Sequence, residues 1–223
     1  GNRLLVGHVL AERLLHQRYR SSYDELREWL QEYADLPQAE QIHKLARMRQ
    51  PVGAKPLPGA EILLDGSRAL LDAKWTYWTG PGFKSALPIK WKIVDDPVDK
   101  GTVIMTDDRA ADGGKYGAAD IVTKKPYRDF RLHIEFLIMQ PGGNSGVYLQ
   151  NRYEIQVLDG DKTKHGLGGV INETESPYHA YNGVGKWNAY DLVFRAARFK
   201  DGRLVEKPQV SMYFNGIKVH TNQ

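Results

Sequence analysis

The chain has 223 residues, 41% hydrophobic and 26% charged, which suits one large domain with a real core, or a domain plus an appendage. Its 31 Lys and Arg are scattered among 27 Asp and Glu, leaving a net charge of +4 and no basic stripe, so nothing marks a nucleic-acid binder. It has no Cys, which excludes disulfides, thiolate chemistry and Cys-based zinc sites, and no apolar run approaches the ~18 residues that cross a bilayer.

Residues 1–50 are helical in pattern. Leu4, Leu5, Val9, Leu10, Leu14 and Leu15 recur at roughly helical spacing. Ser22 and Glu25 form a capping box that opens a second helix carrying Leu26, Trp29 and Leu30. Asp35-Leu36-Pro37 starts a third through Ile42, Leu45 and Met48, with Pro near the first turn. Such short helices read as a piece of solenoid or a helical hairpin. His8, His16 and His43 lack carboxylates at ligand spacing and read as solvated helix histidines. Residues 51–60, with three prolines and two glycines, read as a linker.

From Glu61 the pattern turns to β. Ile62-Leu63-Leu64-Asp65-Gly66 reads as a short strand into a turn, and a loop-rich stretch holds Trp75, Trp78, Gly80-Pro81-Gly82 and Trp91. Strand-like runs follow at 91–94, 102–105 and 120–123, separated by Asp- and Gly-rich turns. Phe130 to Ile138 alternates, with Leu132, Ile134 and Phe136 on one side and Arg131, His133 and Glu135 on the other. Gly142-Gly143-Asn144-Ser145-Gly146 then leads into a strand through Tyr148 to Gln150, a polar bend at Asn151-Arg152, and a second strand, Tyr153 to Leu158.

In that second strand Tyr153, Ile155 and Val157 face one way and Glu154 and Gln156 the other, with Arg152 before the row and Asp159 just past it. This row is the candidate site, since a sheet face lining a cleft needs fixed, directional hydrogen-bonding groups; solvent-facing sheet residues are the alternative. A meander would bring His133 and Glu135 to the same face. The Gly-rich segment 160–186 holds His165 and Tyr178-His179, and long loops of this kind are commonly functional. Trp187 to Phe194 is another strand. Gln209 to Phe214 and Ile217 to Val219 make a hairpin about Asn215-Gly216. Many short strands spaced by turns predict an antiparallel sandwich or jelly roll. The last hairpin ends at Gln223, so the domain reads as truncated at its C-terminus. There is no nucleophile elbow, phosphate loop, zinc-protease helix or dinucleotide fingerprint.

Two resemblances add to this. Arg20-Ser21-Ser22-Tyr23-Asp24-Glu25-Leu26 and Tyr33-Ala34-Asp35-Leu36-Pro37-Gln38-Ala39 resemble the helical N-terminal region of soluble lytic transglycosylases, without their catalytic domain. From about Glu61 onward the chain resembles the 3-keto-disaccharide hydrolase family. The match runs through Leu64-Asp65-Gly66, Trp91-Lys92-Ile93, Asp120-Ile121-Val122-Thr123, Asp129 to Phe136, Asn144 to Asp159, Gly185 to Asp191 and Phe214-Asn215-Gly216. It departs at Leu137 and Gln150, where the family often has a basic residue, and residues 1–50 are not a usual part of it. The implied organisation is a small helical segment (1–50), a linker (51–60), and a mainly β, concanavalin-like jelly-roll sandwich (61–223).

The resemblance implies cleavage of glycosides already oxidised at C3, by proton abstraction at C2, elimination at C1 and hydration. In those roles Glu154 or His165 is the base, and Arg152 or Asn144 the oxyanion donor. Gln156 and Asp159 hold sugar hydroxyls, while Tyr148 and Trp187 offer aromatic faces. A divalent metal on Glu135, Asp159 or His165 is the alternative to a protein donor, although nothing in the sequence requires a cofactor. The implied partners are an oxidised carbohydrate and an upstream sugar dehydrogenase. The implied location is extracytoplasmic, although no signal peptide is visible. The alternative function is a non-catalytic, lectin-like carbohydrate-binding module.

Overall fold

A computed structural model describes residues 2–78, 89–106, 120–177 and 180–223. Gly80-Pro81-Gly82 and Tyr178-His179 lie outside them. The chain forms two compact units, one of residues 1–60 with 128–223, the other of residues 61–127. The β-sandwich predicted from the strand pattern is present, preceded by helices.

The first unit opens with α1 (Arg3–Leu15), α2 (Tyr23–Tyr33) and α3 (Ala39–Arg49). Ser22 and Glu25 complete both halves of the capping box, so two of the orphan N–H groups at the start of α2 are satisfied. Pro37 lies just before α3, whose N-cap is Gln38. The helices share a core of Ala11, Leu14, Leu26, Trp29, Leu30, Leu36, Ile42 and Ala46. Of the apolar stripe expected of α1, Leu14 enters that core and Leu15 packs against it, while the N-terminal part stays outside. Leu4, Leu5, Val9 and Leu10 are exposed, and Gly7, Ala11 and Leu14 are the buried residues. The cause is close approach: a Cβ on Gly7 would lie 2.5 Å from Leu36 and 2.6 Å from Tyr33, and Trp29 Nε1 donates to the Gly7 carbonyl at 2.9 Å. No side chain fits at Gly7 without moving its neighbours.

The rest of this unit is the sandwich. Strands β5 (Phe130–Leu137), β8 (Trp187–Arg195), β11 (Gln209–Phe214) and β12 (Ile217–His220) form an antiparallel sheet in the order β12-β11-β8-β5. The hairpin β6 (Asn144–Leu149) and β7 (Tyr153–Leu158) forms the facing layer. Alternation turns Leu132, Ile134, Phe136, Tyr190, Leu192, Phe194 and Met212 of the sheet toward Leu149, Ile155 and Val157 of the hairpin, and these make one continuous core. Phe136, Tyr190 and Phe214 stack at its centre, with ring centroids 4.7 Å and 4.9 Å apart. The Asn215-Gly216 turn has the two positive φ values, 48° and 79°, that a type I′ hairpin requires. Asn215 Oδ1 also accepts from Ala189 N–H, fixing the turn to β8.

A hairpin of β9 (Arg198–Lys200) and β10 (Arg203–Glu206) turns at Asp201-Gly202, a pair that carries the same hairpin signal as Asn-Gly.

The second unit contains α4 (Arg68–Lys74), β1 (Trp75–Tyr77) paired with β4 (Ile121–Thr123), and β2 (Lys92–Asp95) paired with β3 (Thr102–Met105). Residues 62–66 are not the strand expected of them. Asp65 accepts from Ser67 N–H, Gly66 takes φ +78°, and Ser67 then caps α4, so the chain is turned into a helix. Leu71, Tyr77 and Ile89 form this unit's buried core.

Candidate functional site

The row read from the strand pattern lies on the outer face of the β6–β7 hairpin, away from the core. The register sets Asn144 opposite Leu158, Gly146 opposite Gln156 and Tyr148 opposite Glu154, so these six residues share a face. Tyr148 donates its hydroxyl hydrogen to Glu154 Oε2 at 2.7 Å. The other carboxylate oxygen lies over Gly146, where a Cβ would come within 2.1 Å of Glu154 Oε1. Glycine here leaves a seat for the carboxylate. Tyr148 is about half exposed, Asn144 is exposed and Glu154 is partly buried, so the pair faces outward.

Gln156, in the same row, is buried, and its Oε1 accepts from Val157 N–H at 3.0 Å. The backbone of β7 is held at its free edge by the Gly-rich segment. Gln156 N–H donates to the Gly169 carbonyl, while Gly168 N–H and the Tyr190 hydroxyl donate to the Gln156 carbonyl. His220, buried on β12, lies 2.7 Å through Nε2 from the Gly168 carbonyl, and burial holds its pKa below the ordinary histidine value.

The remaining candidates are dispersed. Arg152 is exposed at the hairpin tip, after Gln150 and Asn151, whose positive φ values form the bend. Asp159 closes the hairpin's other end, accepting from Gly142 N–H at 3.1 Å. His165 is exposed in a turn held by Asp161 and Thr163, and hydrogen bonds from Thr163, with His165 beside it, keep the Asp161 carboxyl below its usual range. Among the described residues His165 makes no hydrogen bond to Glu154. Glu135 and Trp187 lie on the outer face of the four-stranded sheet, on the far side of the core from Glu154. The expectation that a meander would join Glu135 to the Glu154 row does not describe this topology: β5 pairs with β8, and β6 leaves for the other layer.

That second face carries a constellation the sequence reading did not assemble. His133 on β5 is opposite Asp191 on β8, with Nδ1 2.7 Å from Asp191 Oδ1 and Nε2 3.0 Å from Glu135 Oε1. Asp191 is buried, and Glu135 also accepts from Gly53 N–H at 2.8 Å. Burial pulls the His133 pKa down, but the bonds to the two carboxylates more than reverse this and hold it at about 9. Burial pushes the Asp191 carboxyl up, with His133 acting against it. Residues 39–54 reach over this face. Arg47 feels Arg131, Asp191 and Tyr213, and a Cβ on Gly216 would lie 3.2 Å from the Met48 carbonyl. The signal for the cluster was present, because His133 and Glu135 alternate on β5; its third member needed the β5–β8 register.

Among the described residues no three His, Asp or Glu side chains are gathered to hold a metal ion. Glu135, Asp159 and His165 sit in three separate places, so they do not fit a shared ion. No helix among the described residues is long and apolar enough to cross a membrane.

The hairpin with its glycine seat falls inside a segment that a family model recognises. The 3-keto-alpha-glucoside-1,2-lyase-like domain matches residues 59–223. The chain belongs to that family. A solved structure from Parabacteroides distasonis, described as a candidate glycosyl hydrolase, is similar in fold, with a TM-score of 0.58 and 25% identity. The similarity covers 74% of this chain and 66% of that one, so the chain spans just under two thirds of that structure's length. No curated protein matches the chain. Within the family domain lie both outer faces just described, whereas α1, α2 and α3 precede it.

Proposed function

We propose that this chain cleaves glycosides whose sugar has been oxidised to a ketone at C3, with Glu154 as the base. The observation that carries the reading is the Glu154 carboxylate, seated over Gly146 and held at 2.7 Å by Tyr148 on an outward-facing sheet surface. Membership of the 3-keto-alpha-glucoside-1,2-lyase-like family supports the substrate class.

The chemistry follows from the ketone. A carbonyl at C3 acidifies the C2 hydrogen, and a positioned carboxylate removes it. The resulting enolate expels the C1 oxygen, and water adds to C1 of the conjugated product, for net hydrolysis. This differs from ordinary glycoside hydrolysis, which places two carboxylates on either side of an oxocarbenium-like centre. Asn144, exposed on the same face, is the donor suited to the enolate oxygen. Gln156 has its side chain buried and engaged, and on this reading it shapes the strand beneath the sugar. The substrate requires a dehydrogenase acting first on C3, and an extracytoplasmic setting is part of the proposal.

The test is incubation with a 3-keto-glucoside and with its unoxidised parent, for the wild type and Glu154→Gln. The expected result is aglycone release from the keto form only, falling by about 100-fold or more in the variant. Saturable binding of both sugars with no release from either would overturn the enzyme in favour of a carbohydrate-binding module.

A further inference from the structure

We infer that His220 and Tyr190 are positioning residues for Glu154: from the four-stranded sheet they reach across the core and lock the Gly-rich segment to the free edge of β7, the strand that carries the base. The inference rests on the proposed reaction and deepens it.

The bonds form one connected brace. His220 Nε2 donates to the Gly168 carbonyl at 2.7 Å, and Gly168 N–H donates to the Gln156 carbonyl at 3.0 Å. The Tyr190 hydroxyl donates to the same Gln156 carbonyl at 2.7 Å. Gln156 N–H donates to the Gly169 carbonyl at 2.9 Å, and Ile171 N–H donates to the carbonyl of Glu154 itself at 3.0 Å. Val170 pairs antiparallel with Ile155, so this segment runs as a third strand beside β6 and β7.

Backbone groups of alternate residues in a strand point to opposite edges. Those of Gln156, and the Glu154 carbonyl, point to the Gly-rich segment and away from β6. The backbone of the site row is therefore held by that segment rather than by the hairpin. A chain containing Gly166, Gly168 and Gly169 loses much conformational freedom when ordered, and the two cross-core bonds offset that loss. His220 is 2% exposed and Tyr190 wholly buried, in a core otherwise built from apolar side chains. Polar groups are retained at such positions when their bonds are made. Neither residue touches the sugar; each acts through the backbone that aims Glu154.

Tyr190→Phe, His220→Leu and His220→Gln are to be compared with wild type for turnover of methyl 3-keto-α-glucoside, C2 deuterium exchange in heavy water, and amide hydrogen exchange. Val219→Ala, in the same core, is the control, and all are assayed where they are folded. In His220→Leu, kcat and C2 exchange are expected to fall together by about tenfold at little changed KM. The Ile171 amide should exchange at least about tenfold faster, with the Leu192 amide unchanged. His220→Gln, which keeps a donor, stays within about threefold of wild type, as does Val219→Ala. Tyr190→Phe removes one oxygen only, is expected to lose about threefold to tenfold in kcat, and carries the test should His220→Leu not fold. Wild-type kcat in Tyr190→Phe or His220→Leu, an Ile171 amide that does not respond, or an equal loss in Val219→Ala would overturn the inference while leaving the base intact. A wild type that neither exchanges the C2 hydrogen nor releases methanol would instead remove the proposed reaction, and this role with it.

Discussion

His133 and Asp191 meet across β5 and β8, with Nδ1 2.7 Å from Oδ1, on the sheet face that lies beneath residues 39–54. Asp191 is only 5% exposed, so this is a charged pair out of water, where removing one partner costs more than the pair itself contributes. The groups facing it from neighbouring elements are Glu135 and Arg131 on β5, Tyr213 on β11, Tyr23 on α2, and His43 and Arg47 on α3.

The pair makes stability depend on pH in a defined direction. The His133 pKa is about 9 in the folded chain against 6.5 ordinarily, so its contribution is complete below about pH 6.5 and is lost as pH climbs through 9. Burial of Asp191, which raises its pKa, opposes part of this gain. Thermal melts between pH 6 and 9.5 are expected to show this decline. Asp191→Asn should lower stability at pH 6.5 by about 2–3 kcal/mol and flatten the alkaline slope. An unchanged slope in the variant would assign the decline to other groups.

Gly146→Ala separates folding from the site. The position needs no positive φ, and alanine in a strand is favoured over glycine by about 0.5–1 kcal/mol, so the melting temperature should hold or rise. The new methyl would displace the Glu154 carboxylate from its seat and break the contact with Tyr148. Turnover of a 3-keto-glucoside is expected to fall at least about tenfold without loss of stability. Full activity in this variant would show that the seat does not position the base.

Glu135→Ala probes how residues 51–54 are held to the sheet. Glu135 Oε1 accepts from Gly53 N–H and contacts His133, so truncation strips two groups of a partner at once. A loss of about 1–3 kcal/mol and faster amide hydrogen exchange at Gly53 are expected. Unaltered exchange at Gly53 would mean that its amide is protected by something else.

Gly66→Ala is a purely structural control in the second unit. Gly66 has φ +78°, and a Cβ would come 1.9 Å from the Thr102 carbonyl, which is backbone and cannot swing aside. Destabilisation of about 2–4 kcal/mol is expected by denaturant titration, far more than for Gly53→Ala, where φ is also positive but the surrounding space is open.

Much of this was written in local chemistry. The Ser22–Glu25 capping box, the Asn215-Gly216 turn and the alternation of Tyr153 to Leu158 depend on residues within a few positions of one another, and each appears in the structure as the residues dictate. The facing of Tyr148 toward Glu154 was nearly determined as well, since a hairpin about Asn151-Arg152 leaves few registers. What lay beyond the sequence was which layer each strand joins. Alternation says that His133 and Glu135 share a face, and that Glu154 and Gln156 share another. Whether these are one face depends on long-range pairing, and the pairing of β5 with β8 across more than fifty residues put them on opposite sides of the core. The same holds for α1, whose Leu4, Leu5, Val9 and Leu10 stay outside while Leu36, Tyr33 and Trp29 close in on Gly7 from the other side. Period and turn chemistry are local energies carried by neighbouring residues. The choice of partner is made by close packing between segments far apart in the chain, and only the folded molecule decides it.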